Sequence, residues 1–417
     1  MTSRRKFLTG QLPWPAGDVG GASWGSDGGT APPAEVPGLP TNTIRLSQTA
    51  MAADFEVILN PGPASRLQGA SDALAEVDRI EQLLSVYRPS STLSQLNAAA
   101  SAAAPAGVSV PEELFTLIEQ ALALSRGTGG AFDPTAGRLV ALWRTALKQS
   151  LPPTESQLAA ARVGTGVDSV QLARHERRVA FAHPQTQLNF NAFGKGYALD
   201  RAGWILDGWC GAPGSGGQGA GGTSPDGTSP GNTSPEASPN SSQSVQPAAG
   251  VTSAGGMEGT VSLPEQAWLM HGGYSSLLAR GSLAGVDGWP VGIRHPQFPQ
   301  KTLATIWLKD RGLSTSGSGV QFFRHRGRRY GHLIDPRTGW PAEGMLSATV
   351  LAPTAAEAEA LSTAFFVLGV ERAQQYCHNH PQISALLIPT PEPGQRAVWV
   401  ACGLTESDLM FPDVPTS

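Results

Sequence analysis

Cysteine is nearly missing from this chain: there are three in 417 residues, Cys210, Cys377 and Cys402, far apart and in no C-x-x-C pair. An odd, scattered set builds neither a disulfide framework nor a zinc site. The plain reading is buried or idle thiols, neutral about compartment or suited to a reducing one. Charge is also sparse, at 15% of residues, and the net −4 is spread along the chain with both signs mixed. No basic block supports nucleic-acid binding, and there is no acidic tail. No stretch approaches the run of about 18 apolar residues that a membrane span needs. The start, "TSRRKFLTG", carries the S-R-R-x-F-L core of a twin-arginine export signal. The next residues, with Pro13, Pro15 and Asp18, are not the apolar h-region such a signal requires. We read a basic start and favour the cytoplasm.

Glycine (50) and proline (34) are plentiful, and they cluster. Length alone suggests two or three domains, but the clusters reduce that number. Residues 1–42 are Gly/Pro-rich without periodicity and are expected to be a disordered tail. Residues 211–262 are low in complexity, with T-S-P recurring, and lack the apolar side chains that offset ordering entropy. No compositional change separates their two sides. We therefore expect one domain over 43–417 with a disordered insertion at 211–262, tolerable because closure entropy grows slowly with length.

The remainder alternates between two periodicities. Strands are expected at 54–60, 187–193 and in "QAWLMHGG", "TLATIWLKD", "LSATVLAP" and "ALLIP". A helix over 71–87 puts Leu74, Val77, Ile80 and Leu84 on one stripe with Ser71 as N-cap. A second spans 111–127, with Pro111 in its first turn and Gly127 past its end. A third starts at "GKG" (194–196), with Leu199, Ala202, Ile205 and Leu206 inward. A fourth runs over 354–369, with Thr354 and Glu357 as a capping box and Gly369 as its stop. Strands and helices mix throughout, so the class is α/β or α+β.

Four stretches carry chemistry. In "NAFGKGYALDR" (191–201) glycines flank Lys195 at a helix start, where free N–H groups, the dipole and the ammonium suit a diphosphate or carboxylate. It is not a Walker A loop, and Gly-Lys-Gly alone is more often a plain turn. "LSTSGSGVQFF" (313–323) alternates hydroxyls with Gly317 and Gly319, and reads either as a donor-rich loop for phosphate or as a hairpin loop. In "AEALSTA" (358–364) Glu359 and Thr363 share one face of a helix that is otherwise apolar. They are oxygen ligands suited to a hard cation, or Glu359 sits at the helix's wet edge. "GHLIDPRTGWP" (331–341) sets His332, Asp335 and Arg337 around Pro336 and ahead of Pro341. His332 and Asp335 can act as base or polarising pair and Arg337 can clamp phosphate, or the segment is a structural Asp-Pro turn.

Together and in this order, these motifs resemble the FAD:protein FMN transferase (ApbE) family. That family carries K-G-Y-A-x-D-R, a G-G segment, T-S-G, H-x-x-D-P-x-T-G and A-D-A-L-[AS]-T-A. This chain has "GKGYALDR", "HGGYSSLLARG" (271–281), "STSGSG", "HLIDPRTG" and "AEALSTA"; "LLSVYRPSSTLSQLN" (83–97) and "TGGAFDPTAGRLVALW" (128–143) match earlier segments. The resemblance covers roughly 45–390.

The resemblance implies an α+β, two-lobed single catalytic unit of mixed sheets and packed helices with FAD between its lobes. The implied reaction is Mg²⁺-dependent transfer of FMN from FAD to a Thr or Ser of an acceptor flavoprotein bearing D-G-x-[ST]-[SA]-T, with AMP leaving. By match, Gly194 (through its carbonyl), Glu359 and Thr363 would hold Mg²⁺. Lys195, Thr315, Ser316 and Gly317 would line the diphosphate. Tyr87, Phe132, Asp133 and Arg337 would contact FAD, and His332, Asp335 and Lys195 would be catalytic. Two departures stand out. Glu359 occupies a position where the family usually has Asp, and the tyrosine that often comes after T-S-G is absent. Hydrolysis of FAD to FMN and AMP, or FAD binding without turnover, are the alternatives.

Overall fold

A computed structural model of the chain describes residues 8–11, 43–103, 106–210, 267–319 and 321–411. They belong to one compact unit built from Met1–Gly211 and Pro264–Ser417. The expected insertion at 211–262 and most of the expected tail lie outside the described residues.

The strands, in chain order, are β1 (Leu8–Gln11), β2 (Ile44–Ala50), β3 (Ala53–Leu59), β4 (Val108–Ser109), β5 (Val170–Ala173), β6 (Arg178–Phe181), β7 (Trp268–Gly272), β8 (Ser276–Arg280) and β9 (Trp289–Arg294). The later ones are β10 (Thr302–Leu308), β11 (Gly312–Gly317), β12 (Phe322–His325), β13 (Arg328–Gly331), β14 (Met345–Ala352), β15 (Ser384–Pro389), β16 (Val398–Cys402) and β17 (Leu409–Met410). The helices are α1 (Ser65–Leu84), α2 (Thr92–Ala102), α3 (Glu112–Gly127), α4 (Gly137–Gln149), α5 (Glu155–Arg162), α6 (Gly194–Cys210) and α7 (Ala355–Asn379). Among the described residues the main sheet has nine strands in the order β1-β16-β15-β14-β11-β8-β7-β3-β2. Every neighbouring pair in it is antiparallel. That settles the class as α+β, because a parallel sheet would need crossover helices between adjacent strands.

Alternation along the strands gives the sheet two apolar faces. Phe55, Val57 and Leu59 point with Met270, Leu278 and Val350 into a core shared with α1, α6 and α7. Ile58, Leu269, Leu277 and Leu313 point the other way, onto Trp289, Val291 and Ile293 of a three-stranded sheet ordered β17-β10-β9. A third cluster joins Leu139, Trp143 and Leu158 of α4 and α5 to Phe323 and Tyr330 of the β12–β13 hairpin. No helix among the described residues is long and apolar enough to cross a membrane.

Several expectations need correction. Leu8–Gln11, inside the expected tail, pairs with β16 at the sheet's edge; edge pairing uses backbone groups and leaves no periodicity in four residues. The first helix begins at Ser65 and has no side-chain cap, so Ser71 lies inside it. Its first turns are mostly exposed and carry no apolar stripe. Gly127 closes α3 from within rather than beyond its end. Residues 187–193 form no strand. Asn97 there mimics one, its amide donating to the Leu188 carbonyl and its carbonyl accepting the Leu188 N–H, both at 2.9 Å. The donor-rich stretch at 313–317 is not a loop but strand β11, paired with β14 through Gly317. Gly369 does stop the helical run, at φ 76° and ψ −179°, but a further helix continues at once to Asn379.

Candidate active site

The site is built where the first turns of α6 and α7 meet the end of β11. Gly196 makes this approach possible, since a Cβ there would lie 2.3 Å from the Ala355 carbonyl oxygen. With the helix starts pressed together, each caps the other. Asp200 of α6 accepts the N–H groups of Ala355 (2.7 Å) and Ala356 (2.9 Å) at the start of α7. Glu359 of α7 accepts the Gly196 N–H at 2.7 Å at the start of α6, and its other oxygen accepts from the Lys195 ammonium. Each carboxylate sits at the positive end of the opposite helix dipole. Burial pushes the Asp200 carboxyl up to about 7 against the pull of the Ala356 and Ala355 N–H groups.

Glu359 is only 4% exposed. A carboxylate that deep needs a partner, and Lys195 provides it. Around the pair runs a chain of hydroxyls from β11 to α7. Ser316 Oγ lies 3.0 Å from Ser362 Oγ and 3.3 Å from Thr363 Oγ1, and Ser362 donates to the Glu359 carbonyl at 3.0 Å. Thr315, on the opposite face of β11, pairs with Thr349 at 2.9 Å.

Part of this cluster borders a cleft of about 2200 Å³. Gly194, Lys195, Glu359, Thr363 and residues Thr315 to Gly317 all reach it. So do Tyr87, Phe132, Asp133 and His332. The Tyr87 ring is 57% exposed. It is held flat by Arg144, whose guanidinium sits 4.3 Å from the ring centroid, and by Asn191, whose amide donates to the phenol oxygen at 2.7 Å. Phe132 contributes from the core, against Phe193. Asp133 spends its carboxylate on its own loop, accepting the Thr135 N–H at 2.8 Å and the Thr135 hydroxyl at 2.6 Å. Burial raises its carboxyl while these Thr135 bonds lower it.

The structure does not bring Asp335 and Arg337 to the cleft lining. They grip each other: Arg337 Nε and Nη2 donate to the two Asp335 oxygens, both at 2.8 Å. The Arg337 N–H also donates to Asp335 at 2.9 Å. Trp143 donates its indole N–H to the Gly339 carbonyl at 2.7 Å and anchors the far side of the loop. Most of the polar chemistry in 331–341 thus braces the segment and leaves His332 facing the cleft. Its Nδ1 lies 3.1 Å from the Gln321 carbonyl oxygen. His332 is exposed to the cleft, yet the protein packed around it disfavours the charged ring and lowers its pKa, partly offset by that carbonyl.

The donor set of Glu359, Thr363 and the Gly194 carbonyl is all oxygen and fits a hard divalent cation. The Lys195 ammonium already holds one of the two Glu359 oxygens and the Gly196 N–H the other. Sequence reading missed Asp200, Ser362 and Asn191. Asp200 stands inside "GKGYALDR", but its partners are 155 and 156 residues away.

The ApbE family model matches residues 48–209 and 266–387. The FAD:protein FMN transferase of Treponema pallidum is 28% identical over 340 residues, 78% of each chain. The FAD:protein FMN transferase of Escherichia coli is 27% identical over 306 residues, 72% of this chain and 71% of that one. Among solved structures, the ApbE protein of Thermotoga maritima superposes with a TM-score of 0.63 at 24% identity, over 85% of this chain and 96% of that one. That likeness is one of fold. The match of the family model over most of the chain, on the elements that build the cleft, means that this protein belongs to the ApbE family.

Proposed function

We propose that this chain is a FAD:protein FMN transferase. With Mg²⁺ it would move FMN from FAD to a Thr or Ser hydroxyl of an acceptor flavoprotein carrying D-G-x-[ST]-[SA]-T. The observation that carries the reading is the Lys195–Glu359 pair, its carboxylate buried and its ammonium at the cleft, beside the Ser316 and Thr363 hydroxyls. The cleft's size supports it. Ordinary ligand pockets hold about 300–1,000 Å³, so roughly 2200 Å³ leaves room for a dinucleotide and a segment of a second reactant.

In the transfer, the acceptor hydroxyl oxygen bonds to the FMN phosphorus. The P–O bond to the AMP phosphate breaks, AMP leaves with the electron pair, and the hydroxyl proton goes to a base. His332 is the better base, because Asp335 is engaged by Arg337, which acts as a brace. Lys195 turns from Glu359 onto the diphosphate, lined by Thr315, Ser316 and Gly317. Tyr87, with Asn191 and Arg144 behind it, offers a flat stacking surface for a ring of FAD, and Phe132 and Asp133 shape the pocket. Gly194, Glu359 and Thr363 would hold Mg²⁺, which supplies Lewis-acid neutralisation of charge on the departing phosphate. Residues 43–417 form the catalytic domain in this reading, and the 211–262 insertion is outside the chemistry. Deleting 211–262 is expected to leave FAD affinity unchanged in a titration; an unfolded variant would make the segment part of the fold.

The pH dependence is set by His332. Its lowered pKa keeps it neutral at pH 7 and able to accept a proton. The rate should therefore fall on the acid side with a midpoint below pH 6.5, as His332 protonates. His332→Ala should lose that acid limb. Stability carries the same sign: the contribution is present above pH 6.5 and is lost as pH falls through the folded pKa. An acid limb centred above pH 6.5, or one retained in the variant, removes His332 as the base.

The test of the function is AMP release from FAD with Mg²⁺, with and without a flavoprotein domain bearing the acceptor motif. AMP only with acceptor, and flavin fluorescence that stays with the denatured acceptor, supports transfer. AMP without acceptor makes the protein an FAD hydrolase. Tight FAD binding without AMP makes it a flavin-binding protein.

A further inference from the structure

The small sheet leaves an open edge along the cleft. In the order β17-β10-β9, strand β9 has a sheet partner on one side only among the described residues. The Trp307 N–H donates to the Asp408 carbonyl at 3.3 Å, so the Trp307 backbone faces β17. Its register partner Pro290 therefore turns its backbone groups away from β10. By the two-residue period so does Gly292, which is exposed. Pro290 has no N–H to give, which suits an edge strand. All six residues Trp289 to Arg294 line the cleft. Alternating side chains alone would not do that; a strand seen edge-on does.

Beside this edge lies a strip of the main sheet that also borders the cleft. Glu56 shares a face with Ile58, and His271 with Leu269, by alternation along β3 and β7. Ile58 and Leu269 are in one buried cluster with Trp289 and Val291, so β9 sits against that same face. Glu56, His271 and Arg45 also line the cleft. His271 Nε2 lies 3.1 Å from Glu56, which Arg45 also holds at 3.2 Å. The carboxylate accepts, so Nε2 carries a proton. The His271 ring is stacked on Tyr274, centroids 4.5 Å apart, and is only 5% exposed, so it forms the floor of the strip. The strip thus offers the outward backbone of Gly292 beside the Glu56 carboxylate and the Arg45 guanidinium.

We propose that β9 receives the acceptor protein as an added strand. An extended segment of the partner pairs with the Gly292 N–H and C=O and lies over Glu56 and Arg45. The chain continues into the cleft carrying the hydroxyl to be modified. Six residues of edge give about 20 Å of pairing length. Main-chain pairing supplies affinity, and the strip selects side chains at alternate positions. This docking mode rests on the transferase reading.

The test uses the full chain, FAD, Mg²⁺ and a flavoprotein domain bearing D-G-x-[ST]-[SA]-T. Gly292→Pro removes the outward N–H and puts a ring on the edge without touching the β10 ladder. It should lower kcat/KM for the acceptor at least about tenfold, as expected for a lost and obstructed backbone pairing, with FAD Kd unchanged. Gly292→Ala keeps the N–H, and its Cβ meets only Thr302 at 3.6 Å, so it should transfer like the parent chain. In the parent chain, amide exchange over 289–294 should slow when an acceptor domain with its target Thr changed to Val is added. Normal transfer by Gly292→Pro overturns the docking proposal and leaves the transferase reading intact. So does unchanged exchange, which decides the matter if Gly292→Pro fails to bind FAD. No transfer by the parent chain to any acceptor overturns both.

Discussion

Glu359→Gln is expected to cut metal-dependent AMP release from FAD by about 10²–10³-fold, the range for removing one preorganised electrostatic group. Glutamine keeps the shape and can still accept the Gly196 N–H, so the α6 cap survives. It loses the charge that balances Lys195 and would attract a divalent cation. Glu359→Ala goes further, since it strips the cap and leaves the ammonium facing a hole. Breaking a fully buried pair costs about 3–5 kcal/mol. The Lys195 side chain is 23% exposed and reaches the cleft, so the cost here belongs at or below the lower end. Initial rates across a Mg²⁺ titration and a melting curve separate the two effects. Full activity in Glu359→Gln would remove the metal-site assignment. Glu359→Asp restores the residue usual in the family, and its shorter arm should cost less than the loss of charge.

Asp200→Ala carries the second-largest expected effect, on stability first and turnover second. The change leaves two N–H groups at the start of α7 without their acceptor. An N-cap is worth about 0.5–2 kcal/mol, and an unsatisfied buried donor costs about 1–3 kcal/mol. Together they suggest a loss of about 3 kcal/mol, or roughly 5 °C in Tm for a folded unit of this size. Asp200→Asn, which resembles the protonated carboxyl, should lose about half as much, because a carboxyl pushed up to about 7 is already part-protonated at neutral pH. Turnover should fall in step, since α7 carries Glu359 and Thr363 and Asp200 sets its start against α6. Melting curves and rates on both variants decide this. A stable Asp200→Ala with parental turnover would end the idea of a reciprocal clasp.

Much of the scaffold was legible in the residues alone. The apolar stripe of Leu74, Val77 and Ile80 is buried in α1, and the Thr354 hydroxyl does cap α7 by accepting the Glu357 N–H at 3.2 Å. Local periodicity and capping chemistry carry such information within a dozen residues. Strand 187–193 failed for the same reason. Its alternation reflects burial of Leu188, Phe190 and Phe193, while its backbone bonds go to Asn97 and to Pro134. Periodicity reports which side chains are inside, not which partner takes the backbone.

The sequence by itself determined the composition of the site. It set a glycine-flanked lysine, a carboxylate and hydroxyl one helical turn apart, a hydroxyl-rich β11 and a proline-braced histidine loop. Tertiary structure alone decided their pairing. Lys195 meets Glu359 across 164 residues, Asp335 turns to Arg337 rather than to the cleft, and His332 remains as the group facing it. Whether a buried charge finds a partner depends on which helix starts are pressed together. Here that is set by a glycine too close to Ala355 for any side chain, a distance that no local pattern encodes.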